Sequence, residues 1–205
     1  MDPLQAQAFR TQDPNRPEDI WQPLYDRVNY AAAGQLETTF FANPKGTSAT
    51  LVRGVATATV NKTDRDTNLT NASVVPAKMF KVIGLSIGYI HAGLTNATNQ
   101  NDRSSFRNNS YIKYRIVDKD ILIVPTLAIP ELNPIQAVAT TTNATNMIAE
   151  VGGGGSGLGM YLFPVPLIMM PYENFTVIAI NDGSQTVTTT MDICLMLQAY
   201  MRRPT

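Results

Sequence analysis

The amino-acid sequence predicts an all-β fold, a two-sheet antiparallel sandwich of about eight strands preceded by an extended N-terminal arm. Three observations predict it. Apolar residues recur with a period of two in several segments, the repeat of a half-buried strand. Clusters of Gly, Pro, Asn and Asp punctuate those segments, and no stretch carries the pattern of a long amphipathic helix. Charged residues make up only 16% of the chain, against about 25% in an average soluble protein. Thr, Asn, Ser and Gln fill the difference, as expected of a surface finished by neighbouring proteins.

Residues 1–23 are polar and broken by Pro3, Pro14, Pro17 and Pro23. A proline inside a helix costs about 3 kcal/mol, so the segment is expected to be an arm that crosses a neighbouring surface. Pro17 to Trp21 is long enough for one helical turn, with Asn15 as its cap. Phe9 and Trp21 are the expected anchors, because large aromatics supply most contact energy in such arms.

Residues 24–205 are expected to form one domain. Gln35 to Phe41 and Leu51 to Val60 are rich in Thr, Val and Phe. In Lys78 to His91, Ile83, Leu85, Ile87 and Tyr89 alternate with Gly84, Ser86 and Gly88, which a helix would scatter around its circumference. Tyr111 to Val117 alternates Ile112, Tyr114 and Ile116 with Lys113 and Arg115, and Asp118-Lys119-Asp120 turns the chain into Ile121 to Val124. Met160 to Met170 carries Pro164 and Pro166, which confine it to a sheet edge or a bulge. Phe175 to Ile180, the turn Asn181-Asp182-Gly183-Ser184 and a long last strand, Gln185 to Met201, read as a hairpin. The loops 61–77, 92–110 and 125–159 are long enough to serve function or partners. Strand count and loop lengths suit a jelly roll best. The Cys…Trp…Cys spacing of an immunoglobulin-like sandwich is missing.

The composition narrows function. Sixteen basic and sixteen acidic residues balance, which argues against a basic footprint for nucleic acid. Cys194 alone provides no disulfide framework and reads as a buried thiol. Met1-Asp2-Pro3 opens a polar stretch unlike a signal peptide, and no apolar run approaches the roughly 18 residues of a membrane span. Asn-x-Ser/Thr triplets such as those at Asn61 and Asn174 then reflect an Asn/Thr-rich composition.

Catalytic constellations are scarce. His91 cannot build a histidine metal site alone, and no nucleophile elbow accompanies it. Gly152 to Gly157 matches a dinucleotide-binding pattern in letters, but the prolines after it forbid the helix that would hold a pyrophosphate. The pairs Asp118 with Asp120 and Glu18 with Asp19 have no cleft to act in. Asp64, Asp66 and Asn68 alternate like calcium ligands without the Gly and Glu of a calcium loop. No enzyme activity, metal or cofactor is expected.

Several stretches resemble single jelly-roll capsid proteins of tailless icosahedral bacterial viruses. They are Trp21-Gln22-Pro23-Leu24-Tyr25-Asp26 followed by Asn29-Tyr30, then Phe40-Phe41, and Asp66-Thr67-Asn68-Leu69 ahead of a strand at Phe80. Phe175-Thr176-Val177 and a long last strand closing on Arg202-Arg203-Pro204 complete the likeness, which spans most of the chain. The resemblance implies a virion shell subunit, made in a host cytoplasm, whose partners are copies of itself and other virion proteins. Phe9, Trp21, Tyr25, Arg202 and Arg203 are the expected assembly contacts. A capsid decoration, cement or tail-associated protein fits the same features, and a secreted carbohydrate-binding sandwich is the alternative of another class.

Overall fold

The computed structural model describes residues 19–31, 35–92, 97–117, 119–132, 159–183 and 188–202. In chain order they form β1 (Asp19–Trp21), β2 (Leu24–Tyr30), β3 (Glu37–Phe40), β4 (Ser48–Arg53), β5 (Ala56–Asn61) and β6 (Met79–His91). Helix α1 (Ala97–Asn109) follows, then β7 (Ser110–Ile116), β8 (Lys119–Pro125), a 3-10 turn (Thr126–Ala128), β9 (Tyr161–Met169), β10 (Phe175–Asn181) and β11 (Met191–Arg202). Every pairing between the described strands is antiparallel.

Strand β11 organises the larger sheet. Met191, Ile193, Leu195, Leu197, Ala199 and Met201 lie on one face and are buried, as their period of two requires. β2 and β1 lie end to end along one edge of β11; β6 lies along the other and pairs in turn with β9. The second sheet runs β3-β10-β7-β8, and β4 with β5 makes a separate hairpin. One apolar cluster draws on both sheets, with Phe41 5.1 Å from Phe175 and Tyr114 stacked on the same ring at 6.3 Å. The architecture is therefore mostly β and sandwich-like, with a short helix.

Sequence expectation and structure differ in five places. The hairpin expected of Phe175 to Ile180 with Gln185 to Met201 does not form: β10 lies between β3 and β7 in one sheet and β11, which begins only at Met191, between β2 and β6 in the other, because both edges of each strand are taken by partners from elsewhere in the chain. Asp19–Trp21 is extended and hydrogen-bonded to β11 rather than helical, because pairing with an existing edge satisfies backbone groups that one helical turn leaves open. Leu24–Tyr30 is a strand that the alternation failed to reveal. Leu51 to Val60 is not one strand but parts of two, β4 and β5, reversed at Gly54 with φ of 69°. The 92–110 loop contains α1, whose only large apolar side chain, Phe106, is buried edge-on against Tyr30 at 5.1 Å and Tyr89 at 5.9 Å. Among the described residues no helix is long and apolar enough to cross a membrane.

The prolines of β9 act as expected: among the described residues the strand pairs only with β6, and its register breaks between Val82 and Gly84, where Phe163 to Pro166 bulge out. Gly84 is required at that point. A Cβ there would lie 2.3 Å from the Tyr161 carbonyl oxygen. Gly84→Ala is expected to cost about 1–3 kcal/mol, read as a lower urea midpoint. An unchanged midpoint would show that the β6–β9 contact gives way freely.

Candidate assembly surface

Residues paired across antiparallel strands point to the same face. The row Ile20, Met201, Phe80 and Met169 faces the core. The neighbouring rows must therefore face outward. One is Trp21, Tyr200, Lys81 and Ile168; the other is Asp19, Arg202 and Met79, with Met170 just beyond β9. Trp21, Ile168 and Met170 are 45%, 47% and 53% exposed. Trp21 stands edge-on to Tyr200, with ring centroids 5.3 Å apart, and Arg202 Nε donates to Asp19 Oδ1 at 3.0 Å. The result is an apolar face with Lys81 at its centre and an ion pair on its rim. That distribution resembles the core and rim of a protein–protein contact.

The other half of this sheet's outer face is covered by the β4–β5 hairpin, which a polar network fastens down. Asp192 accepts hydrogen bonds from Arg27 Nε at 2.6 Å, Asn29 Nδ2 at 2.8 Å and the Val52 amide at 2.8 Å. Arg27 Nη2 donates to the Val52 carbonyl at 2.5 Å, so one guanidinium bridges sheet and hairpin. Lys62 Nζ reaches Asp26 Oδ1 at 2.6 Å, and both side chains are fully buried. Asp26 also accepts the amide of Phe41 at 2.6 Å, fixing a residue held at φ of 65°. Arg53 closes the network on Asp66 at 2.7 Å.

Of the residues expected to make assembly contacts, Trp21 and Arg202 share the bare half of this face. Tyr25 does not. It lies further along β2, opposite Met196, and its hydroxyl donates to the Asp64 carbonyl. There it lines a cavity of about 280 Å³ with Arg27, Asp66, Leu132 and Cys194. Its phenol is occupied because the loop after β5 folds back over β2, which sequence separation conceals. Phe9 and Arg203 lie outside the described residues, as do Gly152 to Gly157.

The other candidate groups have local roles. Asp64 pairs with Lys45 at 2.7 Å, Asp66 with Arg53, and Asn68 bonds the Pro23 carbonyl and Tyr25 amide, so these three do not converge. Among the described residues no group of three or more metal-ligating side chains occurs. Burial pushes the Cys194 thiol up to about 11, against a smaller opposing pull from Arg27, which keeps it protonated at neutral pH. His91 ends β6 with both ring nitrogens buried, and burial lowers its pKa. Asp118 lies outside the described residues, while Asp120 pairs with Lys113 at 3.2 Å and Arg115 at 2.9 Å.

Helix α1 is tied to the loop before β11 by Asp102. Burial raises its carboxyl, but bonds from the amides and hydroxyls of Thr188 and Thr189, at 2.5–2.8 Å, outweigh that and hold it below its ordinary 3.8. A carboxyl with a lowered folded pKa contributes stability above its unfolded pKa and loses it as pH falls through the folded value. Asp102→Asn is therefore expected to flatten the decline of unfolding free energy below about pH 4. Parallel pH profiles for the two proteins would count against this.

Lys81, Ile168 and Asp192 escaped the sequence reading. A parity signal existed for two of them: Lys81 and Asp192 occupy the outward positions of strands whose inward positions are apolar. Among known proteins, no family model, curated protein or solved structure matches the chain.

Proposed function

We propose that the chain is a jelly-roll structural protein of a virus particle, a capsid subunit that assembles with copies of itself into an icosahedral shell. The observation that carries this reading is the nesting of strand pairs. With the β4–β5 hairpin and the short β1 set aside, the remaining strands are β2, β3 and β6 to β11. Their outermost pair in sequence is β2·β11, then β3·β10, β6·β9 and, innermost, β7·β8. Successive pairs alternate between the two sheets. One long hairpin of strands rolled over itself gives that order, and such rolls are used in viral shells, lectins and cupins.

Two further features favour the shell over the other users of the roll. A cupin builds its centre from clustered histidines, and this chain has one histidine. Its outer faces instead carry exposed apolar side chains, including Trp21, Ile123 and Ile168. Faces of that kind are finished by protein neighbours. Many repeated modest contacts then hold a shell that no single contact would hold.

The test is assembly of the purified full chain, followed by sedimentation and electron microscopy, together with its copy number in source particles. Closed shells or symmetric rings, and a copy number matching the shell lattice, are expected. A protein that stays monomeric when concentrated and is absent from particles overturns the reading. Particles that remain closed after its removal would assign it to decoration instead.

A further inference from the structure

We infer that the bare outer half of the β1-β11-β6-β9 face binds the outer face of the β3-β10-β7-β8 sheet of a second copy, with Lys81 of one copy meeting Glu37 of the next. This rests on the self-assembly reading above and names the contact that performs it. On the first face, Lys81 stands between Tyr200 and Ile168 and has no ion pair with any described residue. A partner that covers this patch must supply an acid, since an unpaired ammonium is strongly disfavoured away from water.

The second face supplies one. Pairing across β3, β10 and β7 sets Glu37, Ile180 and Tyr111 in one outward row, and Thr39, Ile178 and Lys113 in the next, with Ile123 of β8. Lys113 and Arg115 are both taken by Asp120, at 3.2 and 2.9 Å. Glu37 is exposed and has no ion pair with a described residue. Lys81 on the first face and Glu37 on the second are thus opposite charges, each without an ion pair to a described residue, while Asp120 balances only one of the two cations Lys113 and Arg115 that share it. Aromatic and methionine side chains on one side meet isoleucines on the other, a mixture that packs well between stacked sheets about 10 Å apart.

Pairing the first face with itself about a twofold axis through its centre fails on the same criterion, because it brings two Lys81 ammoniums together. The contact between unlike faces is head to tail. It leaves a free face of each kind on every pair of copies, so it propagates until a ring or shell closes.

The experiment uses the full chain with Cys194→Ala and the pair Lys81→Cys and Glu37→Cys, oxidised under assembly conditions and run on non-reducing gels. A ladder of covalent dimers, trimers and larger species is expected, with neither single cysteine giving a ladder. Dimers from Lys81→Cys alone, or no ladder from a protein that forms particles, overturn the proposed contact and leave the shell reading standing. A chain monomeric in every form, before any substitution, overturns both. Charge reversal is the second measurement. Lys81→Glu or Glu37→Lys is expected to raise the concentration for half-assembly about tenfold, and the two together to return it to within about twofold of the parent. Equal losses in single and double reversals, with each variant folded by circular dichroism, would also overturn the contact.

Discussion

Asp192→Ala is expected to lower the unfolding free energy by about 3–5 kcal/mol, the usual consequence of removing one partner from a buried ion pair. The carboxylate holds Arg27 Nε, the Asn29 amide and the Val52 amide at once. Without it the buried Arg27 keeps the Val52 carbonyl at 2.5 Å and has Asp66 at 3.8 Å, too far for a good hydrogen bond. The Val52 amide is left with no acceptor in the network, and the hairpin loses its main attachment to the sheet. Urea unfolding measures the loss, and amide exchange at Val52 and its β5 neighbours locates it. A loss under about 1 kcal/mol would mean that water replaces the carboxylate at little cost. Replacing Arg27 and Asp192 together by apolar residues of similar volume should recover much of the stability, because the charge needing compensation is then gone.

Phe106→Ala is expected to cost about 3–5 kcal/mol, the range for removing a buried aromatic ring. Helix α1 is otherwise polar, so it has no apolar stripe to hold it against the sandwich. The ring packs against Tyr30 of β2 and Tyr89 of β6. What remains after truncation is polar: Asp102 on Thr188 and Thr189, Arg103 paired with Glu131, and Arg107 on Glu131 at 3.0 Å. Amide exchange should rise across residues 101–109 by more than in the β11 core. If exchange rises evenly throughout the molecule, the helix is not a separable unit and Phe106 is not its anchor.

Strands with one wet and one dry face were legible in sequence because burial writes their alternation directly. β10 follows it throughout; β11 departs from it at the buried outward positions Asp192 and Gln198, and β6 follows it only as far as Val82, since Ile83 is the extra residue at the register shift with β11 and residues 84–89 are buried on both faces. β2 was hidden by Asp26, which occupies an inward position between Leu24 and Val28 and is neutralised by Lys62, far along the chain. A buried acid looks like a surface acid until its partner is known. Helix α1 was hidden for the complementary reason, since one phenylalanine in thirteen residues makes no periodicity.

The candidate face was half legible. Trp21 and Arg202 stood out by residue type and position near the ends of the chain, but their common location follows from β1 pairing with the last turns of β11. Tyr25 is near Trp21 in sequence but not on the sheet. On β2 that nearness is undone, because consecutive rows of a sheet climb it by more than 3 Å per residue. Lys81 needed the register of three strands before its surroundings could be read.

The edge formed by β9 has a consequence for how copies meet. Pro164 and Pro166 carry no amide hydrogens, and the Phe163 to Pro166 bulge bends the strand out of line. A foreign strand laid beside it finds an interrupted ladder and cannot extend the sheet from one molecule into the next. Fusion of sheets end over end, the route to insoluble fibrils, is closed on that side. Growth is left to contacts that side chains adjudicate, which can be undone and remade while a closed particle corrects its own mistakes.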